Sequence, residues 1–159
     1  MRKHQKGFSL IELLIVVAII LIIAAIAIPN LLRSRMAANE ASAVGSLRTI
    51  NTAEVTFSTT YPSIGFASLT ALGGAAPCNT ATSTGACLID DVLSTVGTKS
   101  GYIFTIVNLT GAPVIVTYSS VAKPSVVGQS GQRAFCSDQS GVIRYNATGT
   151  ACTTSDSAL

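Results

Sequence analysis

The chain has 159 residues, of which 48% are hydrophobic, 11% charged and 6% aromatic, and its formal net charge is +3. This length allows one modest domain beside a targeting or membrane segment, and so apolar a composition excludes an extended disordered chain. Three of the ten cations lie in the leader, residues 1–7, and the remaining seven equal the number of acids. Without the leader the chain is neutral, so its charge gives no reason to expect a nucleic-acid partner.

The first predicted element is an apolar helix from Phe8 to Ile28, interrupted only by Ser9 and Glu12. As a helix this segment spans roughly 30 Å, which is the thickness of the hydrocarbon core of a membrane. The cationic leader before it favours an N-terminus retained in the cytoplasm. We therefore expect a single membrane pass, with the domain after it exported from the cytoplasm.

Three interpretations of this segment compete. It could be a cleaved secretory signal, because Ala25-Ile26-Ala27 is similar to a small-x-small cleavage site. It could be a plain membrane anchor, although an acid within a membrane costs about 2.5–3.5 kcal/mol at the bilayer centre and less near the interface. In the third interpretation, Glu12 has a partner that arrives only when copies of the chain assemble.

The stretch Lys6-Gly7-Phe8-Ser9-Leu10-Ile11-Glu12 resembles the class III signal of type IV pilins and of the related pseudopilins. The resemblance implies that a membrane prepilin peptidase cleaves between Gly7 and Phe8 and then N-methylates the new amine of Phe8. Glycine suits this position because it has no side chain to obstruct a protease. The resemblance also implies that Glu12 pairs with the amine of a neighbouring copy. At an effective dielectric constant of 20, such a pair at 4 Å is worth about 4 kcal/mol.

A helical pattern continues beyond the apolar segment, and we expect one helix from Phe8 to about Thr60. Pro29 is expected to kink this helix because proline lacks an N–H group and clashes with the preceding turn; the alternative is that Pro29 ends it. Tyr61-Pro62 marks the far boundary. The small domain that follows cannot bury so long a helix. We predict a leader (1–7), a filament-core helix (8–28), an amphipathic continuation (29–60) and a globular head (61–159).

The head is predicted to contain a loop-rich connector followed by a four-stranded antiparallel sheet, which makes the fold α+β. The connector runs over residues 63–100 and has a possible short helix near Leu88–Val96. Turn residues at Thr110–Pro113 and Asp138–Gly141 separate β-branched and aromatic runs. The four predicted strands are Tyr102–Asn108, Val114–Tyr118, Arg133–Cys136 and Val142–Tyr145. The order of helix, loop, sheet and cysteine-closed terminal loop also resembles that of type IV pilins.

The four cysteines, Cys78, Cys87, Cys136 and Cys152, lie in the predicted head. An even number of cysteines behind an export segment favours two disulfides in an oxidising compartment over a zinc site, which would need four thiolates at unusual spacing. Three connectivities are possible. The sequential one, Cys78–Cys87 with Cys136–Cys152, closes two short loops and is favoured.

The sequence predicts neither an enzyme nor a metal or cofactor site. The one histidine, His4, lies in the leader, so the mature chain would have no Ser-His-Asp or Cys-His site. The resemblance implies that the chain is a type IV pilus subunit, which polymerises with itself. It also implies that the chain interacts with the prepilin peptidase and with the inner-membrane assembly machinery. The alternatives are a major pseudopilin of a type II secretion system and, from another class, a secreted or anchored binding module. Motility, adhesion, DNA uptake and electron transfer remain equally open as roles of the fibre.

Overall fold

The computed structural model describes residues 8–74 and 77–159. Two compact units are present, one ending at Arg35 and the other running from Met36 to Leu159. In the first unit every described residue belongs to the apolar helix or to the two residues before it, and none of them is buried. The second unit contains the rest of the helix and all the strands. The leader, including the predicted cleavage residue Gly7, lies outside the described residues.

Helix α1 comprises Leu10–Thr60, and it continues through Pro29 without a break. The alternative in which Pro29 ends the helix is therefore wrong, while the kink stays a prediction. The helix ends at Thr60, directly before the Tyr61-Pro62 boundary, as the sequence predicts. Its buried residues recur every three or four positions along one side, as helical periodicity requires: Glu40, Ala43, Val44, Ser46, Leu47, Ile50, Ala53, Glu54 and Phe57.

The sheet is antiparallel throughout, and its strands follow one another in chain order. It has six strands instead of the predicted four, because β1 and β6 have two residues each and carry no readable alternation. The architecture is the predicted α+β one, with a long helix and a C-terminal antiparallel sheet. The strands are β1 (Thr98–Lys99), β2 (Tyr102–Thr110), β3 (Thr117–Pro124), β4 (Ala134–Asp138), β5 (Arg144–Asn146) and β6 (Ser157–Ala158).

The predicted strand Val114–Tyr118 is wrong over most of its length. Although Val114, Ile115 and Val116 have high β-propensity, they precede β3, and the backbone of Ile115 pairs instead with the segment after α1. The N–H of Ile115 donates to the carbonyl of Ile64 (2.8 Å), and the N–H of Phe66 donates to the carbonyl of Ile115 (3.0 Å). The β-propensity of these three residues by itself predicts a strand of the sheet. The tertiary pairing of Ile115 overrides that propensity.

The connector between α1 and the sheet contains more local structure than predicted. A short helix, α2, forms at Leu69–Leu72, and the helix expected near Leu88–Val96 is a five-residue π-helical turn, Val92–Val96. The core joins α1 to the sheet and to this connector, and its largest fully buried side chains include Tyr102, Phe57, Phe135, Leu47, Ile50, Leu72 and Leu93.

Two disulfides close loops at opposite ends of the head's sequence. Cys78 pairs with Cys87 in the connector, and Cys136 of β4 pairs with Cys152. These are the pairs that the sequence analysis favours. In the chain-entropy model each such loop contributes about 3 kcal/mol, because the cross-link restricts the unfolded chain.

Candidate functional site

The carboxylate of Glu12 helps to cap the start of α1. The helix begins at Leu10, so Ser9 is the residue that caps it, and Glu12 is the third helical residue. The backbone N–H of Ser9 donates to Oε2 of Glu12 at 2.9 Å. This contact is one half of a capping box, in which the third residue of a helix satisfies the N–H group of the cap residue.

The sequence analysis missed this contact, although its signal is present. Serine followed three residues later by glutamate, immediately before an apolar run, is the sequence signature of a capping box. The carboxylate also lies at the positive end of the helix dipole, where an anion is worth about 0.3–1 kcal/mol at an exposed site. Glu12 is therefore not the unpartnered acid that the sequence analysis assumes, because it already accepts one hydrogen bond within its own chain.

Both groups that the resemblance brings together are accessible to another molecule. Phe8 is 80% exposed, and Glu12 is also exposed. The carboxylate has two oxygens and about four acceptor positions, of which Ser9 uses one. A second donor could thus bind Glu12 without displacing the cap.

The apolar side chains that follow Glu12 are exposed along the first unit. α1 is long and apolar enough to cross a membrane, and none of the residues in its most apolar stretch is buried. A water-soluble monomer rarely exposes so large a contiguous apolar surface. The exposed side chains include Leu10, Ile11, Leu13, Leu14, Ile15, Val16, Val17, Ile19, Ile20, Leu21, Ile22, Ile23, Ile26, Ile28, Leu31 and Leu32.

In the second unit α1 is fixed to the sheet region by a charged contact at Glu40. Oε1 of Glu40 accepts the backbone N–H groups of Gln132 (2.9 Å) and Arg133 (3.1 Å). Oε2 accepts from the guanidinium of Arg133, with Nε at 2.9 Å and the ion-pair contact at 2.8 Å. Burial by itself raises the pKa of Glu40, but the hydrogen bonds from Gln132 and Arg133 outweigh it and hold the pKa below its ordinary value of 4.5.

The guanidinium of Arg133 is itself placed by aromatic rings. It lies 5.4 Å from the centre of the Phe135 ring and 5.5 Å from that of Tyr145, within the range of cation–π attraction. Arg133 therefore links a carboxylate of α1 to aromatic side chains of β4 and β5. This arrangement holds α1 against the sheet region.

A second kind of candidate site is a cluster of metal-ligating side chains. Over residues 8–74 and 77–159 no group of three or more His, Cys, Asp or Glu side chains lies together. The four cysteines are consumed by the two disulfides. The start of α1 is thus the candidate functional site.

Known proteins match part of the chain. The family model described as the prokaryotic N-terminal methylation motif matches residues 2–28. A type IV wide pilus major component, PilA4, from Thermus thermophilus is 63% identical over 38 residues, which are 24% of this chain and 29% of that protein. By its N-terminal segment the chain resembles type IV pilins. The resemblance stated from residues 6–12 is thereby confirmed.

A second relative is similar over a somewhat longer stretch. The type IV major pilin protein PilA from Myxococcus xanthus is 48% identical over 54 residues, which are 34% of this chain and 24% of that protein. The matched parts span 29% and 24% of the length of these two pilins. No solved structure gives a significant match.

Proposed function

We propose that this protein is a structural subunit of a type IV pilus, which polymerises through the apolar half of α1. The observation that carries the proposal is the exposure of that half, together with a carboxylate at its first turn. Its apolar surface needs lipid before assembly and other copies of the helix afterwards. The precursor would thus reside in the inner membrane with its N-terminus in the cytoplasm, and the assembled chain would lie in a surface filament.

Maturation in this proposal creates the charge that Glu12 binds. Prepilin peptidase hydrolyses the peptide bond between Gly7 and Phe8, which leaves a free amine on Phe8, and the same enzyme methylates that amine. The amine stays cationic after methylation. When a subunit enters the filament, its Glu12 accepts a hydrogen bond from the Phe8 amine of a neighbouring copy, and the ion pair fixes the axial register of the two helices.

The contact with Ser9 refines the energetics of this step. An isolated carboxylate in lipid would be costly, but the cap hydrogen bond and the helix dipole already stabilise it in the free subunit. An ion pair at an effective dielectric constant of 20 adds about 4 kcal/mol at 4 Å. Pairing with a neighbouring amine is therefore still favourable in the filament. Before assembly, the cap hydrogen bond and the helix dipole stabilise the Glu12 carboxylate of the subunit in the membrane.

Mass analysis of the mature N-terminus tests the processing step. We expect the loss of residues 1–7 and the gain of one methyl group on Phe8. The variant Gly7→Leu should retain its leader, because a bulky side chain would obstruct the peptidase at the scissile bond. Gln5→Ala, two residues away, is the matched control and should mature normally. An intact leader in the wild type, or a mature protein that starts near Ile28, contradicts the proposal and favours an anchored or a secreted binding module.

Imaging separates the pilus from its nearest alternative. A pilus subunit gives surface fibres that disappear when this chain is deleted. A major pseudopilin of a type II secretion system would instead form a short periplasmic fibre, and its deletion would stop the release of folded enzymes. The motif at the N-terminus is shared by both, so the presence of surface fibres decides between them.

A further inference from the structure

Glu54 is a carboxyl group inside the core that the assembly proposal does not use. It lies on the buried side of α1 and is 0% exposed. Oε2 accepts the backbone N–H of Ala67 at 2.9 Å, which joins α1 to the segment that follows it. Oε1 is buried and has no hydrogen-bond partner among the described residues.

We propose that Glu54 is a proton-dependent contact that holds the segment 64–67 against α1 while the carboxyl group is neutral and loosens it when the proton is lost. In the neutral form, one oxygen accepts from Ala67 and the other carries the proton. In the ionised form a negative charge is buried and only one of its oxygens is satisfied. Burying an incompletely paired charge costs far more than burying a neutral acid with one unused donor.

Within residues 8–74 and 77–159, the neighbours of Glu54 supply no compensating cation. The N–H of Ala67, in the segment after α1, donates to Glu54 and lowers the pKa of its carboxyl group. Burial is the larger effect and raises that pKa to about 7. From β3, Glu54 faces the phenol of Tyr118, whose pKa is raised by burial and further by the charges of Glu54 and of Asp138 on β4. Tyr118 therefore stays neutral, donates to Asn51 Oδ1 on α1 (3.1 Å) and offers Glu54 no positive charge.

The segment 64–67 makes hydrogen bonds on two sides, and only one side involves Glu54. On one side, Ile64 and Phe66 exchange backbone hydrogen bonds with Ile115. On the other, Ala67 is bound by Glu54. Loss of the Glu54 proton strengthens the single hydrogen bond from Ala67 but adds the larger cost of a buried charge. Opening of the segment from α1, which hydrates the carboxylate, therefore becomes easier, while the pairing with Ile115 remains.

The sign of the pH dependence follows from proton linkage. Because the folded protein binds the Glu54 proton more tightly than the unfolded chain, this group stabilises the fold below its unfolded pKa of 4.5, and the stabilisation is lost as the pH rises through the folded pKa of about 7. Between pH 4.5 and pH 8 the folding equilibrium constant should fall by on the order of a hundredfold from this group alone.

The test compares full-length mature wild type, Glu54→Gln and Glu40→Gln in detergent micelles. Equilibrium unfolding is measured between pH 4 and pH 8.5, together with exchange of the Ala67 amide hydrogen after correction for the intrinsic rate. We expect the hundredfold fall, and the matching loss of Ala67 protection, in the wild type and in Glu40→Gln but not in Glu54→Gln. Equal pH profiles in the wild type and Glu54→Gln would overturn the proposal.

A direct titration keeps the proposal testable if Glu54→Gln does not fold. The side-chain carboxyl carbon of Glu54 in the wild type is followed by NMR and assigned through its bonds to the backbone. An apparent pKa near 7 supports the proposal. A midpoint near the ordinary 4.5 refutes it, because the carboxyl group would then be ionised throughout the working range.

Discussion

The two halves of α1 have similar apolar residues and opposite surroundings. Leu14 and Ile22 in the first half are 59% and 63% exposed, whereas Leu47 and Ile50 in the second half are 0% and 1% exposed. Within the second unit, the sheet and the connector cover the second half. That half of α1 thus contributes to a core that the chain builds by itself. The apolar side chains of the first half are exposed, and this exposure is the physical basis of the assembly proposal.

Two of the three acids of α1, Glu12 and Glu40, follow the same division. Among the described residues, Glu12 in the exposed half accepts a hydrogen bond only from the cap of its own helix. Glu40 in the buried half is saturated by Gln132 and Arg133. The same helix therefore carries an acid with acceptor positions left over and an acid whose positions are filled. Substitutions in each half should have consequences of different kinds.

The largest effect is expected at Glu12. Glu12→Val should insert into the membrane normally but form few or no filaments, because the Phe8 amine of the neighbouring copy would have no counter-charge. Filament yield is measured by shearing and electron microscopy, and membrane insertion by fractionation.

The variant Glu12→Gln separates the ion pair from the helix cap. Glutamine also occurs at this position of capping boxes and can accept from the Ser9 N–H group, but it carries no charge. We expect it to fail in assembly as Glu12→Val does. Normal filaments from Glu12→Gln would mean that the cap is the role of Glu12, and normal filaments from Glu12→Val would exclude both roles.

The next largest effect is expected in the buried half. Phe57 is 0% exposed, and Phe57→Ala should lower the free energy of unfolding of the head by about 3–5 kcal/mol through lost burial and a cavity. The matched substitution in the exposed half, Leu14→Ala, should leave that free energy unchanged. Denaturant unfolding in detergent micelles measures both. A similar loss in the two variants would show that the halves are not independent.

A smaller effect is expected at the charged contact between α1 and the sheet region. Glu40→Gln should lower the free energy of unfolding by about 1–3 kcal/mol, since a charged acceptor with several donors is replaced by a neutral one. The wild-type contribution is present above the ordinary pKa of 4.5 and is lost as the pH falls through the lowered folded pKa.

The exposed ion pair of Lys99 and Asp90 provides the control for this contact. Both side chains are about two-fifths exposed, and Lys99→Gln should cost about 0–1 kcal/mol. Unfolding curves at pH 7 and pH 3 compare the two variants. Equal losses at pH 7 would contradict a special role for the partly buried Glu40 contact.

The sequence allows the elements with strong periodic signals to be predicted. The end of α1 at Thr60 follows from Tyr61-Pro62, and the strands around Tyr102 and Phe135 follow from their β-branched and aromatic runs. The predicted strand Val142–Tyr145 is wrong over its first half, because β5 comprises Arg144–Asn146. The two-residue strands could not be predicted, because Thr98–Lys99 and Ser157–Ala158 are ordered by pairing with their neighbours and not by their own pattern.

The candidate site was predictable in identity but not in its local contacts. The signal at residues 6–12 identifies Glu12, yet charge alone made it appear unpartnered until the structure placed it against Ser9. Glu40 and Glu54 are both single acids on one helical stripe, and the sequence does not distinguish them. Only the tertiary fold brings Arg133 to Glu40 and leaves Glu54 with a single amide, so contacts distant in sequence decide their charge states.

The capping box has a consequence for access to the chain. Because Ser9 and Glu12 fix the first helical residue at Leu10, Phe8 precedes the helix instead of being wound into it. Hydrolytic enzymes act on extended backbone, and a peptide bond within an α-helix has its amide and carbonyl groups already engaged. The helix therefore begins two residues after Phe8, which is itself exposed, so Phe8 is available on its side of the bond that maturation would cut.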